Sequence, residues 1–329
     1  MAGSGTAHMR NTVDSVLTVR DLTVEFRVGN NKTVKAVSGL SLDVVKGETL
    51  AIVGESGCGK TTLARAILQL PPPNSGEVIF DGTDLTLLPK ENLRSARTSM
   101  QMIFQDPISS LNPRMTVHQL LDEPLEIWDR GTRAERDERI NKLLFSVGLE
   151  PDLVLNRRSY EFSGGQCQRI SIARALALDP RMLICDEPVS ALDVSIQAQI
   201  LNLLLFMKET HGLTMLFISH DLAVVKAIST RVMVMYLGKI CEVAPPDVLY
   251  SNPAHHYTRA LLNSVPIPDP TKQIRTELLQ GEPPSPMNPP SGCRFRTRCV
   301  GASALCAEQE PQLREVSPGQ FVACHHPIV

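Results

Sequence analysis

Residues 54–61 read GESGCGKT; the apolar run TLAIV leads into them and TTLARAILQL, with helical periodicity, runs on from them. The pattern G-x-x-x-x-G-K-[ST] asks for a strand, a tight glycine turn and a helix in that order. Backbone N–H groups of such a loop point at phosphate oxygens, and the helix N-terminus adds favourable partial charge. Lys60 then neutralises β- and γ-oxygens, and the Thr61 hydroxyl ligates magnesium. The residues assigned to this cradle are Gly54, Ser56, Gly57, Cys58, Gly59, Lys60, Thr61 and Thr62. The competing reading, a chance glycine-rich turn, is disfavoured by the strand and helix on either side.

A phosphate site of this kind also needs a carboxylate at the end of a neighbouring strand to hold magnesium. MLICDE offers Asp186 after four apolar residues, and Glu187 follows it at once. One residue beyond the metal-positioning carboxylate, Glu187 is placed to polarise an attacking water as general base. Without the glycine-rich loop the pair would read as an ordinary strand-end acidic couple.

The rest of the chain supports an α/β core. From residue 163 onward, helical and buried-strand patterns alternate: RMLICDEP, SIQAQILNLLLFMKETHG with Gly212 after its end, TMLFISH, then LAVVKAI. That alternation implies a parallel sheet covered on both faces. RVMVMYLGKICEVA predicts a hairpin turning at Gly238 and HHYTRALLNSV a closing helix. Residues 12–53 are rich in β-branched positions and predict several strands, while about 89–165 lacks strong strand runs and reads as a mainly helical insertion. Residues 12–264 are thus one nucleotide-binding domain, and the prolines between Pro266 and Pro290 make residues 265–329 a linker and tail.

With 329 residues the chain exceeds the usual single-domain size, and its formal charge of −2 gives no field that would favour nucleic acid or an anionic membrane surface. No window approaches the ~20 apolar residues of a membrane-spanning helix, so a soluble, cytoplasmic chain is expected. Residues 1–11 read as a cloning scar or disordered start. Of the eight cysteines, Cys58, Cys167, Cys185 and Cys241 are scattered through structured segments and read as small packed side chains. Cys293, Cys299, Cys306 and Cys324 gather at the end.

SGGQ at residues 163–166, lying between the glycine-rich loop and CDEP, resembles the signature motif of ATP-binding cassette (ABC) ATPases. Gln105 in FQDP, SALD at residues 190–193 and His220 in ISHD stand in the order that family uses. The resemblance implies a P-loop NTPase with a RecA-like core, an antiparallel β subdomain and a helical signature subdomain. It implies two cassettes sandwiching two ATP molecules, so that Ser163, Gly164, Gly165 and Gln166 serve the γ-phosphate of the nucleotide on the partner's loop. Gln105 senses magnesium and water, His220 contacts the γ-phosphate, and Asp193 communicates across the interface. Phe26, in VEFRV, stands where the family puts an aromatic on adenine; a core strand phenylalanine is the equal alternative.

FQDPISSLNPRMTV, VMYLGKICEVAPPDVLYSNPAHHYTRALLNSVP and GEPPSPMNPPSGCRFRTRC resemble more narrowly the ATP-binding subunits of bacterial dipeptide and oligopeptide importers. The implied assembly has two transmembrane permease subunits, a second ABC ATPase (another copy or a homologous chain) and an extracytoplasmic solute-binding protein, with this chain peripheral on the cytoplasmic face of the inner membrane. Relatives in the subfamily import nickel or glutathione, and other ABC ATPases act on nucleic acid or ribosomes. The latter carry coiled-coil insertions or fused cassettes that this sequence lacks. The tail cysteines are separated by five, six and seventeen residues, unlike the two-residue spacing of zinc ribbons. Members with a similar tail are associated with a four-iron (4Fe-4S) cluster, which would staple a segment too poor in apolar residues to fold alone. Structural zinc, with His325 and His326 nearby, and free thiols are the alternatives. Arg294, Arg296 and Arg298 read as support for thiolate charge, a partner site or a solvated basic face.

Overall fold

The computed structural model describes residues 5–10, 13–29, 32–264 and 281–328. It divides into two compact units, one of Met1–Leu88 with Phe217–Val329 and one of Pro89–Leu216. The division falls within the wholly buried strand Thr214–Ser219.

In the first unit, Ser15–Val28 lies between Lys32–Val45 and Ser75–Phe80 in an antiparallel sheet that Thr83–Asp84 completes. Leu17, Val19, Leu22 and Val24 on the first strand and Leu40, Leu42 and Val44 on the second are buried, which pins the register. A second sheet pairs Thr49–Val53 parallel with Arg231–Tyr236. Both strands are buried at every position, so they read as continuous apolar runs rather than alternations. Arg231–Tyr236 turns back into Lys239–Ala244 through Leu237 and Gly238, whose φ values of 42° and 77° are those of a two-residue hairpin turn that favours glycine.

The tail continues this sheet. Gln320–Val322 pairs antiparallel with Lys239–Ala244, setting Glu242 opposite Val322 and Val243 opposite Phe321, and Arg314–Ser317 pairs with Gln320–Val322. Ladder hydrogen bonds and buried Phe295, Leu313 and Val322 hold the tail in place. Residues 265–280, most of the proline-rich stretch, lie outside the described residues, and 281–290 contain no helix or strand.

Within the segment 1–11, read as a cloning scar or disordered start, the described residues 5–10 pack on the first unit. His8 and Met9 are buried, His8 Nε2 bonds the Ser41 carbonyl at 3.1 Å, and Arg231 Nη1 donates to the His8 carbonyl at 3.1 Å. Arg10 pairs with Asp43 and Glu48, so a polar segment is held by buried charge partners rather than by apolar area.

In the second unit, Met100–Ile103 pairs parallel with Met182–Asp186. This four-residue strand lies inside the stretch 89–165 that reads as mainly helical; it carries one β-branched residue, and its evidence is its distant partner. Helices Val117–Ile127 and Arg133–Ser146 begin in capping boxes made by Thr116 with Gln119 and Thr132 with Glu135. Gly164–Leu176 buries Ile170, Ile172 and Ala173, and Val194–His211 ends at Gly212 in the left-handed conformation (φ 62°).

Candidate functional site

The glycine-rich loop leaves the buried strand Thr49–Val53 and enters the helix Lys60–Ile67. Two glycines are required by contact as well as conformation. A Cβ on Gly54 would lie 2.2 Å from the Met235 carbonyl oxygen, and one on Gly59, at φ 106°, would lie 2.2 Å from that of Ala36. Gly57 sits at φ 77° with open space around it, and Ser56 beside it is exposed at the loop tip. Lys60 is buried, and its Nζ donates to the carbonyls of Gly54 (2.8 Å) and Glu55 (3.1 Å). The ammonium is thus held over the loop by the backbone that would receive phosphate. Thr61 and Thr62 follow, half-buried, in the first turn. Cys58 is buried, and burial raises its thiol pKa while Lys60 opposes the shift, so it packs as a protonated side chain.

In the second unit Asp186, 2% exposed, ends the buried strand Met182–Asp186. Glu187 follows at φ 48°, a left-handed conformation rare for a residue with a side chain and of the kind found at functional sites. Its carbonyl accepts from the N–H and hydroxyl of Ser190, which brace the turn. Its carboxylate Oε2 accepts from Gln105 Nε2 at 3.0 Å. Two residues singled out separately in the sequence, 82 positions apart, are thereby brought together.

Ser163 caps the helix Gly164–Leu176: its hydroxyl accepts from Gln166 N–H, and Gln166 Oε1 accepts from Ser163 N–H at 3.0 Å. A Cβ on Gly165 would lie 2.7 Å from Ile196 Cγ2 and one on Gly164 3.3 Å from Leu192 Cδ2, so both glycines let the helix start lie close against the segment beside Asp193. Asp193 caps Val194–His211, its carbonyl accepting from Ile196 and Gln197 N–H. In the first unit His220 is exposed between the strand Thr214–Ser219 and the helix Leu222–Ile228, which Asp221 caps. Phe26 is 38% exposed, so its ring is not the core packing that was the alternative to adenine stacking.

The four scattered cysteines are buried, and burial pushes the Cys185 thiol up to about 12. In the tail, burial raises Cys293 and Cys324 to about 11 and also raises Cys299, with the other tail thiols adding to each shift. Cys293 N–H donates to the Cys306 carbonyl at 2.8 Å. Among the described residues no group of three or more His, Cys, Asp or Glu side chains is arranged to hold a metal ion, so the geometry of a cluster or zinc ligand set is not present. The neighbouring arginines have partners of their own. Arg294 donates to the Leu237 carbonyl, Arg296 to that of Ser291, and buried Arg298 pairs with Glu55. Glu55 was not singled out in the sequence; no local signal ties it to a residue 243 positions away.

Comparison with known proteins places these features in a class. The family described as ABC transporter matches residues 37–190, and that described as oligopeptide/dipeptide transporter, C-terminal region, matches 241–306. A dimeric post-hydrolysis structure of the ATP-binding cassette MJ0796 bound to ADP and Pi superposes with TM-score 0.64 at 29% identity, over 70% of this chain and 98% of that one. The structure of cbiO1 from Clostridium perfringens, part of the ABC transporter complex cbiONQ, gives TM-score 0.64 at 27% identity over 73% and 92%. The fold is that of an ABC ATPase. A putative peptide import ATP-binding protein of Brucella ovis is 53% identical over 95% of this chain and 98% of its own length. Oligopeptide transport ATP-binding protein OppF of Escherichia coli is 52% identical over 94% and 95%, and the putative oligopeptide transport ATP-binding protein YkfD of Bacillus subtilis 51% over the same shares. The chain belongs to the ATP-binding proteins of ABC-type oligopeptide and dipeptide transporters.

Proposed function

We propose that this chain hydrolyses ATP to power the import of di- or oligopeptides through a membrane ABC transporter. The observation that carries the chemistry is Glu187, set directly after buried Asp186 and hydrogen-bonded to Gln105. The cargo class is supported by the relatives named for peptide import over nearly the whole chain and by the match of residues 241–306.

In this reading the loop N–H groups and Lys60 receive the phosphates, and Phe26 stacks on adenine. Thr61, Asp186 and Gln105 offer hydroxyl, carboxylate and amide oxygens, donors of the type magnesium takes. Bound magnesium neutralises charge on the transferring phosphoryl oxygens. Glu187 accepts the proton of the attacking water, Gln105 orients that carboxylate, and His220 donates toward the γ-phosphate. Ser163, Gly164, Gly165, Gln166 and Asp193 serve the nucleotide of a second cassette, an arrangement supported by the dimeric relative of known structure.

Among the described residues no helix is long and apolar enough to cross a membrane. The pathway is therefore assigned to two permease subunits, with this chain peripheral on the cytoplasmic face and an extracytoplasmic solute-binding protein delivering cargo. The test is reconstitution with the permeases in liposomes. ATP hydrolysis stimulated by a peptide-loaded binding protein, with peptide accumulating inside, is expected; stimulation by nickel or glutathione but not peptide would reassign the cargo.

The iron–sulfur reading of the tail rests on its four thiols and on its resemblance to members with a similar tail. Anaerobic purification followed by iron and sulfide analysis tests it: about four irons per chain support the cluster, and iron-free protein with a folded tail removes it.

A further inference from the structure

The tail reaches the back of the glycine-rich loop through the segment between Cys293 and Cys299. The Arg298 side chain is 5% exposed and forks onto the Glu55 carboxylate, Nη1 to Oε2 at 2.7 Å and Nη2 to Oε1 at 3.0 Å. Its Nη1 also lies 3.4 Å from the Tyr236 hydroxyl, and its guanidinium sits 5.9 Å from the centre of that ring. Glu55 is the second residue of the loop. Its N–H donates to the Tyr257 hydroxyl at 2.8 Å and its carbonyl accepts from Lys60 Nζ at 3.1 Å. The base of this arrangement is an aromatic cluster: Phe295 packs against Tyr236 and Tyr257, both rings at 5.3 Å. A second strut runs from Arg294 to the Leu237 carbonyl, and Gly238 N–H, next in the turn, donates to the Cys58 carbonyl at 2.8 Å.

A solvent-exposed ion pair would contribute little. Here the arginine is buried and the contact is bidentate, so it fixes the orientation of Glu55 as well as its charge. Glu55 in turn shares its backbone with the turn that aims the loop N–H groups. We propose that Arg298 is a positioning residue for nucleotide binding, acting through Glu55, so that the tail sets the geometry of the phosphate loop. The inference rests on the ATPase reading given above.

The test uses the full chain, with ATP affinity from titration calorimetry and melting temperature measured side by side for Arg298→Met, Arg298→Lys, Glu55→Gln and the Arg298→Met/Glu55→Gln double variant. Arg298→Met and Glu55→Gln should each weaken ATP binding about ten-fold. The double variant should bind no more weakly than the weaker single, and Arg298→Lys should recover part of the loss, since lysine keeps the charge without the fork. Singles that bind ATP as the wild type does, whatever their melting temperature, or losses that multiply in the double variant, would overturn the proposal. Should Arg298→Met fail to fold, Glu55→Gln, which removes the charge and keeps the shape, decides alone. A wild-type chain that binds no ATP would instead overturn the ATPase reading.

Discussion

Gln105 Nε2 stands 3.0 Å from Glu187 Oε2, so the amide is already aimed at the carboxylate proposed to take a proton from water. Because Glu187 has a left-handed backbone, the direction of its side chain is set by the turn as well as by this hydrogen bond.

Glu187→Gln keeps the shape of the side chain and removes its ability to accept a proton. ATP should bind as in the wild type while turnover falls by roughly 10²–10⁴-fold, the range of a general base. Nucleotide titration beside steady-state phosphate release checks both halves, and turnover near the wild-type rate would remove Glu187 from that role.

Gly57→Ala and Gly59→Ala separate conformational strain from steric clash. Both positions have positive φ, but only at Gly59 does the new methyl meet backbone, the Ala36 carbonyl oxygen at 2.2 Å. Gly57→Ala should cost about 1 kcal/mol and still fold. Gly59→Ala should cost several times more by forcing the loop and the neighbouring strand apart, which a pair of denaturant melts would show.

Glu242 is fully buried and accepts from Ala254 N–H (2.9 Å), His255 N–H (2.9 Å) and Gln320 Nε2 (2.8 Å). Glu242→Ala takes this acceptor from both backbone donors and one of two acceptors from Gln320 Nε2, which keeps the Asn252 carbonyl at 2.8 Å. We expect a loss of about 3 kcal/mol or more, and faster protease cleavage around residue 320, since one of the three contacts ties the tail hairpin to the sheet.

His255 sets the acid limit. Its Nδ1 accepts from Tyr257 N–H at 3.0 Å, and burial, with nearby His256 adding, lowers its pKa from 6.5 to about 3. The folded state holds this imidazole neutral while the unfolded chain protonates it near 6.5. Its contribution is therefore complete above that pH and is lost as pH falls toward 3. His8, lowered by burial and by Arg231 to about 4, acts in the same direction. Each should remove about 1.4 kcal/mol of unfolding free energy per pH unit within its window. His255→Gln should flatten the slope in a pH series of urea melts; an unchanged slope would contradict the assignment.

Local chemistry made much of this molecule legible. The glycine-rich loop, the Gly238 turn and the Gly212 stop each follow from backbone conformations that few residues accept. The spacing of Ser163 and Gln166 also spells a capping box, a signal available in four residues. What sequence alone did not reveal depends on distant partners. Met100–Ile103 becomes a strand because Met182–Asp186 lies beside it, and its own composition argues weakly for one. His8 and Arg10 look like polar terminal residues until Asp43, Glu48 and Arg231 surround them. The tail arginines read as surface charge for the same reason: nothing near Arg298 in sequence announces Glu55.

The hairpin Arg314–Ser317 and Gln320–Val322 also determines what the sheet shows to other molecules. Without it, Lys239–Ala244 would present a row of unpaired N–H and C=O groups, a template onto which any extended chain could add. The outermost strand is instead four residues long and begins with exposed Arg314 and Glu315, too short and too charged to recruit another. The tail thus covers an edge that would otherwise be open, and a chain truncated ahead of Cys293 should aggregate more readily than the full chain in a light-scattering assay.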